Sequence, residues 1–480
     1  MRYERLRVPY SHYDRLTALD ATFLEIEDEN THMHVGAIAI FEGGELRRDD
    51  GGIDFARVRR LAGPGLSRNR RFRQRLEQVP LLGHPVWVDD ARFNIDYHLR
   101  HTALPEPGDE RQLKRLFGRL MSQKLDAHKP LWELYFVEGL EGGRFAVISK
   151  VHHCMIDGVS GVDLLAMLMD PEAEADVKRA EEEGGSVRPW LPRPHPTPLG
   201  LLADEALRRA AMPIEVARAG LGAMAHPGES LGAMRDAVEA LREFLAPGLT
   251  AGSRTPLNCD IGPHRRFDWL RMDIAAVKEI AKKLGGTLND VVLAIVAGAV
   301  RRFLEGRGVS VDDLFFRAQV PVNIRAAEEH GELGNRVALL LAELPVSQPD
   351  PRKRHAAVVA TTKHLKASHQ AQGSELLEKI GDWTAKELLA ALVRLTGRQI
   401  AYNVVVTNVP GPPFPVKMLG ARMTEIYPLV PLFSNQALGV ALFSYDGGLF
   451  WGLNSDWDAM PDLHDFATAL ESEFTVLAAL

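Results

Sequence analysis

The feature that most constrains this chain is a pair of adjacent histidines, His152 and His153, at the end of an apolar, β-branched run. The length and composition of that run, 145–151, predict a β-strand. Asp157 and Gly158 follow the second histidine after four and five residues, and the glycine permits a sharp turn before a predicted helix. The motif therefore lies at a strand end, where the chain turns over a sheet.

The two histidines are expected to have different roles, because successive side chains of a strand point to opposite faces. One ring can face an open site and act near neutral pH as the general base that deprotonates a hydroxyl, while the other is held inside. Asp157 can fold back to orient a ring or hold the loop. A metal site formed by both histidines and Asp157, and a buried pair without chemistry, are the alternatives.

The composition limits the classes of protein. The 480 residues are 46% hydrophobic and 25% charged, a globular composition with apolar material for two cores. The net charge of -7 does not suggest a nucleic-acid-binding protein. Only two cysteines are present, Cys154 and Cys259, which excludes a disulfide framework and fits a reducing compartment. Cys154 lies beside the histidines, where packing is favoured over a role as nucleophile.

Neither a secretory signal nor a membrane-spanning helix is predicted. Residues 1–14 alternate in charge and lack an apolar core. The best apolar run, 291–300, is shorter than the roughly 18 residues that a spanning helix needs. A lipid substrate would therefore be met from outside the membrane. The arginine-rich stretch 55–76 predicts a solvated helix face, with contact to anionic lipid or phosphate as the alternative.

The chain is predicted to consist of three parts. Residues 1–175 alternate predicted strands and helices and contain the histidine motif. Residues 176–255 are first acidic and proline-rich and then helical, which indicates a connector that packs on or bridges the other parts. Residues 256–480 again alternate strands and helices, so the predicted fold class is α/β.

Short sequence patterns predict two helix starts and one hairpin within these parts. Thr17 with Asp20, and Thr287 with Asp290, have the spacing of helix N-terminal caps. A glycine pair in the middle of 132–153 predicts a hairpin of two strands. This hairpin would bring the histidines to the end of a sheet strand.

Several of these motifs resemble a known enzyme family. His-His-x-x-x-Asp-Gly is similar to the signature of the CoA-dependent acyltransferase superfamily, and other segments resemble its bacterial wax ester synthase/diacylglycerol acyltransferase family. Those segments are 16–23, 33–41, 93–99, 130–133, 255–267, 289–294, 334–337 and 408–412. The resemblance covers nearly the whole chain outside the connector, although Ala127 stands where the family usually has a basic residue.

The resemblance implies two chloramphenicol-acetyltransferase-like α/β domains with mixed sheets and an active-site tunnel at their interface. It implies that His153 is the general base and that His152 and Asp157 hold the geometry of the loop and the ring. Transfer is expected to be direct, without a covalent acyl-enzyme, because a thioester is already activated. No metal and no cofactor is expected, since acyl-CoA is itself a substrate.

Further residues follow from the same resemblance. Asn289, Asp290 and Gly158 are expected to contact the substrate. Arg325 is the candidate partner of the motif aspartate, and Trp132 is expected to support the site structurally. For Asp290, the helix cap is the competing interpretation.

The implied reaction is the acyl-CoA-dependent esterification of diacylglycerol to triacylglycerol, with long-chain alcohols, which give wax esters, as second acceptors. Such a protein is expected in the cytoplasm, in peripheral contact with a membrane or a lipid droplet. Two alternatives stay open at this point. One is a condensation-type acyltransferase with a different acceptor, and the other is a catalytically inactive lipid-binding protein.

Overall fold

The computed structural model describes residues 12–81, 83–155, 164–165, 167–169, 190–210, 252–323, 337–367 and 401–480. Asp157, Gly158 and Arg325 lie outside these ranges. The pairing of Asp157 with Arg325 and the substrate contact of Gly158 therefore stay predictions. The helix expected after the motif lies mostly outside the described residues as well.

Strands and helices alternate along the described residues, as expected for the α/β class. The strands are β1 (Tyr13–Arg15), β2 (His34–Phe41), β3 (Gln74–Gln78), β4 (Pro85–Asp89), β5 (Leu99–Ala103), β6 (Trp132–Leu140), β7 (Arg144–His152), β8 (Arg265–Asp273), β9 (Phe316–Asn323), β10 (Val337–Leu344), β11 (Val404–Pro410), β12 (Lys417–Met418), β13 (Ala421–Leu429), β14 (Leu438–Tyr445) and β15 (Gly448–Asp456). The α-helices are α1 (Ala18–Ile26), α2 (Phe55–Arg68), α3 (Ile95–His98), α4 (Glu110–Met121), α5 (198–210), α6 (Ile274–Leu284), α7 (Leu288–Gly306), α8 (Pro351–Ala367) and α9 (Leu463–Ala478).

The first large sheet contains the histidine motif and has the strand order β12-β13-β2-β7-β6-β5. Its neighbouring strands are antiparallel except for β5 and β6, which are parallel. β6 and β7 form the predicted hairpin, and their apolar residues are buried almost throughout. His152 is the last residue of β7 and lies opposite His34 of β2. The motif thus begins at the end of a central strand.

The second large sheet has the order β10-β9-β11-β14-β15-β8, with β11 parallel to both of its neighbours and the other pairs antiparallel. β12 and β13 follow β11 in the chain, yet they pair within the first sheet. The predicted C-terminal part, 256–480, therefore contributes two strands to the sheet of the N-terminal part. Chain order carries no signal for this crossover, because the pairing depends on hydrogen bonds between distant segments.

Each large sheet has its own hydrophobic core. In the second core α7 is buried along most of its length. The two large sheets contact each other where Trp269 of β8, in the second sheet, stacks on Tyr427 of β13, in the first, with 4.8 Å between ring centroids. They also meet at α4, where a Cβ on Gly118 would lie 2.7 Å from the carbonyl oxygen of Arg265. The absence of a side chain at this position lets the two backbones approach closely.

A small antiparallel sheet, β1-β4-β3, holds the described part of the connector. α5 buries Leu201 against three valines of this sheet and its turn. Asp89 at the end of β4 accepts hydrogen bonds from Arg70 and Arg193. Burial raises the pKa of Asp89, but these hydrogen bonds outweigh burial and lower it to about 2. The connector residues 190–210 therefore pack on the N-terminal part, which is one of the two arrangements that the sequence favoured.

The two predicted helix caps are confirmed. The Thr17 side chain accepts from the backbone N–H of Asp20 at the start of α1, and Thr287 with Asp290 forms a complete capping box at the start of α7. Within the described part of the chain, no single helix combines the length and the apolar composition needed to cross a membrane. α6 and α7 have the required length and apolar composition only when they are taken together, and the chain bends by 93° at the break between them.

Candidate active site

A 3₁₀ turn, His153–Met155, follows β7 and determines where the second histidine lies. The backbone N–H of His153 donates to the carbonyl of Met33, just before β2, at 2.7 Å. The His153 ring packs on the ring of Phe23 of α1, with 3.9 Å between centroids and 34° between planes. One hydrogen bond to the neighbouring strand and one ring contact to α1 thus hold His153 in place.

The His153 imidazole is neutral at neutral pH. Burial, and secondarily the neighbouring His152, lower the pKa of His153 to about 4. The side chain still keeps some accessible surface. Its Nδ1 has no hydrogen-bond partner among the residues that the structure describes. Nδ1 itself is buried, but a neutral imidazole with a nitrogen that the described protein leaves unbound has the properties of a general base.

His152 is buried and makes different contacts. Its Nδ1 accepts a hydrogen bond from the backbone N–H of Cys154 at 3.1 Å. Its Nε2 lies 3.5 Å from Oε2 of Glu27, the residue that ends α1. The two histidines therefore differ in their surroundings, because His152 ends β7 and His153 begins the 3₁₀ turn, and His152 connects α1 to that turn.

Two more histidines, His32 and His34, lie close to His152. His32 and His34 are buried, and the His34 ring lies 5.7 Å from the His32 ring and 6.1 Å from the His152 ring between centroids. Nε2 of His34 lies 3.7 Å from Oε1 of Glu27. Burial, followed by the nearby Lys150, lowers the pKa of His34 well below 6.5. His34 is therefore a neutral part of the interior.

Glu27 is the site residue that sequence reasoning missed. Burial raises the pKa of Glu27, but His152 and Lys124 outweigh burial and lower it below its ordinary value, so the carboxylate is charged at neutral pH. Glu27 follows Phe23 by one helical turn, and residues with this spacing share a helix face. That spacing was visible in the sequence, but its meaning depends on which face of α1 meets β7.

The metal and thiol alternatives receive no support from the described residues. Within them, no group of three or more His, Cys, Asp or Glu side chains has an arrangement that could hold a metal ion. Asp157, the third ligand in the metal alternative, lies outside the described ranges. Burial and the nearby Asp20 raise the pKa of Cys154 well above its ordinary value. A thiol that stays protonated is a poor nucleophile.

The second polar motif lies at the N-terminus of α7. Asp290 is buried, and its Oδ2 accepts from the backbone N–H and the hydroxyl of Thr287 at 2.7 and 2.9 Å. Its Oδ1 accepts from the Thr362 hydroxyl of α8 at 2.6 Å. Oδ2 thus caps α7 itself, and Oδ1 joins α7 to α8. Asn289 is half-buried in the same turn. Contact with substrate stays a prediction for both residues.

Trp132, the predicted structural support, is fully buried at the start of β6. Its indole N–H donates to the carbonyl of Phe72 at 2.8 Å. The His98 ring stacks on the indole at 4.5 Å, and its Nδ1 is 2.7 Å from the Trp132 carbonyl oxygen. These contacts connect β6 to Phe72, which lies before β3, and to His98 of α3.

Comparison with known proteins identifies the family. The model described as the wax ester synthase/diacylglycerol acyltransferase catalytic domain matches residues 16–292, and that of the family's C-terminal domain matches residues 333–478. The chain belongs to the wax ester synthase/diacylglycerol acyltransferase family. The resemblance seen in the histidine motif is thereby confirmed, and the chain is an acyltransferase.

Individual relatives cover almost the whole chain. A Mycobacterium tuberculosis protein named "Probable diacyglycerol O-acyltransferase tgs1" is 32% identical over 97% of this chain and 96% of its own length. The solved wax ester synthase/diacylglycerol acyltransferase of Marinobacter aquaeolei VT8 is 25% identical, has a TM-score of 0.65, and the match covers 97% of this chain and 100% of that one.

A more distant likeness concerns the fold alone. The first condensation domain of the CDA synthetase is 17% identical, with a TM-score of 0.58 and coverage of 97% of this chain and 95% of that one. Together with the Marinobacter structure, it confirms the two-domain α/β fold with mixed sheets. The tunnel between the domains stays a prediction.

Proposed function

We propose that this chain transfers the acyl group of acyl-CoA to the free hydroxyl of diacylglycerol, giving triacylglycerol, and that it also accepts long-chain alcohols. The observation that carries the proposal is the neutral His153 imidazole at the end of β7, with an Nδ1 that the described protein leaves unbound. The family and the name of the mycobacterial relative support the acceptor class. No cofactor takes part, because acyl-CoA is consumed as a substrate.

In the proposed reaction His153 accepts the proton of the acceptor hydroxyl while the hydroxyl oxygen attacks the thioester carbonyl. The tetrahedral intermediate then expels the CoA thiolate, which takes the proton from the imidazolium, so His153 returns to its neutral form. A pKa of about 4 keeps the imidazole neutral but makes it a weak base. Proton transfer is therefore expected to accompany the formation of the new C–O bond rather than to precede it.

Direct transfer is favoured over a covalent acyl-enzyme. The thiol nearest to the histidines belongs to Cys154, which is buried and whose pKa is raised well above its ordinary value. A protonated thiol in such a place does not compete with an acceptor hydroxyl for the thioester. Since the thioester is already activated, a single displacement by the acceptor suffices.

We further propose that the protein works in the cytoplasm and collects its acceptor at a membrane or lipid-droplet surface. Diacylglycerol and triacylglycerol are too apolar to be exchanged through water in quantity. Exposed leucines on the small sheet and α5, Leu81, Leu199 and Leu207, are candidates for contact with such a surface. Flotation of the purified protein with phosphatidylglycerol–phosphatidylcholine vesicles, with and without diacylglycerol, tests this, and no co-flotation with either vesicle would contradict it.

The activity is tested by following thiol release from palmitoyl-CoA in the presence of diacylglycerol, of hexadecanol, and of neither, with mass spectrometry of the lipid product. We expect release that depends on an acceptor, with triacylglycerol as the main ester. The Cys154→Ala variant should keep this activity if transfer is direct. Acceptor-independent release that disappears in Cys154→Ala would point to an acyl-enzyme instead, and no release with either acceptor would overturn the proposed function.

A further inference from the structure

Helix α1 contacts both histidines of the motif from one face. Phe23 and Glu27 are separated by one helical turn and therefore lie on the same side of the helix. Phe23 stacks on the His153 ring at 3.9 Å, and Glu27 approaches Nε2 of His152 at 3.5 Å. A short helix at the start of the chain thus meets the catalytic turn at two points.

The contacts of His152 determine where its proton lies. A backbone N–H can only donate, and the N–H of Cys154 is directed at Nδ1 of His152, so Nδ1 is the unprotonated nitrogen. In the neutral ring the proton is then on Nε2, the nitrogen that faces the carboxylate of Glu27. A doubly protonated ring would place an N–H of its own against the N–H of Cys154, which is repulsive.

Glu27 is charged because His152 and Lys124 outweigh its partial burial, and 19% of its side chain stays exposed. Its Oε1 is buried and has no hydrogen-bond partner among the described residues, and the nearby His34 is neutral. Removing a carboxylate from water without full compensation is unfavourable. The carboxylate is therefore incompletely paired beside a histidine of the motif, and buried polar atoms with unused capacity call for a functional explanation.

We propose that Glu27 is a positioning residue for the reaction and acts through His152. Its carboxylate holds the His152 ring with the proton on Nε2, which leaves Nδ1 to accept from Cys154 and so keeps the turn of His153 in place. Glu27 does not touch the substrate. The inference rests on the proposed function only in taking His153 as the base.

Kinetics of Glu27 variants test this inference. In Glu27→Ala we expect kcat for palmitoyl-CoA and diacylglycerol to fall about 10-fold to 100-fold, with KM for palmitoyl-CoA unchanged, because the base is misplaced rather than the donor site. Glu27→Gln should recover most of the rate, since its amide oxygen can keep the same approach to Nε2 of His152. The exposed Glu29, two residues further on, supplies the control Glu29→Ala, which should match the wild type. Wild-type kcat in Glu27→Ala would overturn the inference.

A double variant tests whether Glu27 acts through His152. In His152→Asn the amide oxygen replaces Nδ1 as the acceptor for Cys154, but no group remains to contact Glu27. We therefore expect Glu27→Ala to cause no additional loss of kcat when it is combined with His152→Asn. Independent, multiplying losses in the double variant would mean that Glu27 acts by another route. Equal thermal unfolding temperatures of Glu27→Ala and wild type separate this effect from misfolding.

Nitrogen NMR of histidine-labelled protein gives a readout that does not need turnover. The wild type should show His152, assigned by its absence in His152→Asn, with a protonated Nε2 and an unprotonated Nδ1 at neutral pH. In Glu27→Ala the two nitrogens should move toward averaged shifts, because the ring has lost one of its two anchors. A protonated Nδ1 in the wild type, or unchanged shifts in Glu27→Ala, would overturn the inference even if the acyltransferase activity is confirmed.

Discussion

The two polar motifs of this protein, His152-His153 after β7 and Asn289-Asp290 at the start of α7, differ in how their polar atoms are satisfied. Both oxygens of Asp290 accept hydrogen bonds from threonines. At the histidines, by contrast, Nδ1 of His153 and Oε1 of Glu27 have no hydrogen-bond partner within the described residues. The Asp290 carboxylate is thus saturated by the protein itself, whereas the histidine motif and its neighbour Glu27 keep hydrogen-bonding capacity that the described protein does not use.

This difference separates a scaffold from a reacting site. Buried polar groups in proteins are almost always paired, so a buried group with unused capacity calls for a functional explanation. Asp290 joins α7 to α8 and thereby stabilises the second half of the molecule. His153 is held through its backbone and its ring face, which leaves the ring nitrogen for chemistry.

The largest effect is expected from replacing His153, the proposed base. His153→Ala should lower kcat about 1,000-fold, since general base catalysis contributes on the order of 100-fold to 10,000-fold. The fold should be kept, because the backbone N–H that bonds to Met33 is still present. Thiol release from palmitoyl-CoA in the presence of diacylglycerol measures the loss. The exposed His128 provides the control His128→Ala. Similar losses of kcat in the two variants would contradict the proposed role of His153.

The cap on α7 is expected to affect stability rather than the chemical step. Asp290→Ala removes the acceptor for two groups of Thr287 and for the Thr362 hydroxyl, which should lower the free energy of unfolding by about 2–3 kcal/mol. Asp290→Asn keeps one oxygen and should lose less. Urea unfolding measures both. A fall in kcat at unchanged stability would show instead that Asp290 contacts substrate, as the family resemblance predicted.

The pH dependence of stability should reveal the buried neutral histidines. Burial lowers the pKa values of His98 and His153 to about 4 in the folded protein, against an ordinary 6.5. Between these values only the unfolded chain binds the proton, so stability is full above 6.5 and falls as the pH drops toward 4. At about pH 5 each histidine should account for a loss of about 2 kcal/mol.

Urea unfolding at pH 7 and at pH 5 measures this loss. His98→Gln should reduce the difference between the two pH values by one histidine's share, and so should His153→Ala. A difference that neither variant changes would mean that the two rings are protonated in the folded protein. His98 and His153 would then lack the lowered pKa values that burial is expected to cause.

The smallest effect is expected at Asn289, which is half-buried beside the cap. If its amide donates to the substrate as predicted, Asn289→Ala removes one hydrogen bond, worth about 1 kcal/mol, and lowers kcat/KM about fivefold. Stability should change little, because the cap of α7 is made by Thr287 and Asp290. Unchanged kcat/KM would place Asn289 outside the substrate site and make the whole motif part of the scaffold.

The predictions that held were those that depend on neighbours in the chain. The β6–β7 hairpin follows from two apolar, β-branched runs around a glycine pair, and the caps of α1 and α7 follow from side chains that reach backbone three residues away. Different roles for the two histidines were predicted from strand alternation, but in the structure their surroundings differ because β7 ends at His152 and His153 begins a 3₁₀ turn. Such features depend only on residues that are neighbours in the chain, so they can be predicted before the fold is known.

What the sequence determined by itself was the family, the α/β class, the hairpin that delivers the motif and the choice of His152 and His153 as the candidates. Only the tertiary structure placed β13 in the first sheet, His34 opposite His152, and Glu27 against Nε2 of His152. These contacts join segments that are far apart in the chain. They depend on which strand edges and helix faces meet, and that is decided by packing of the whole core rather than by any local run of residues.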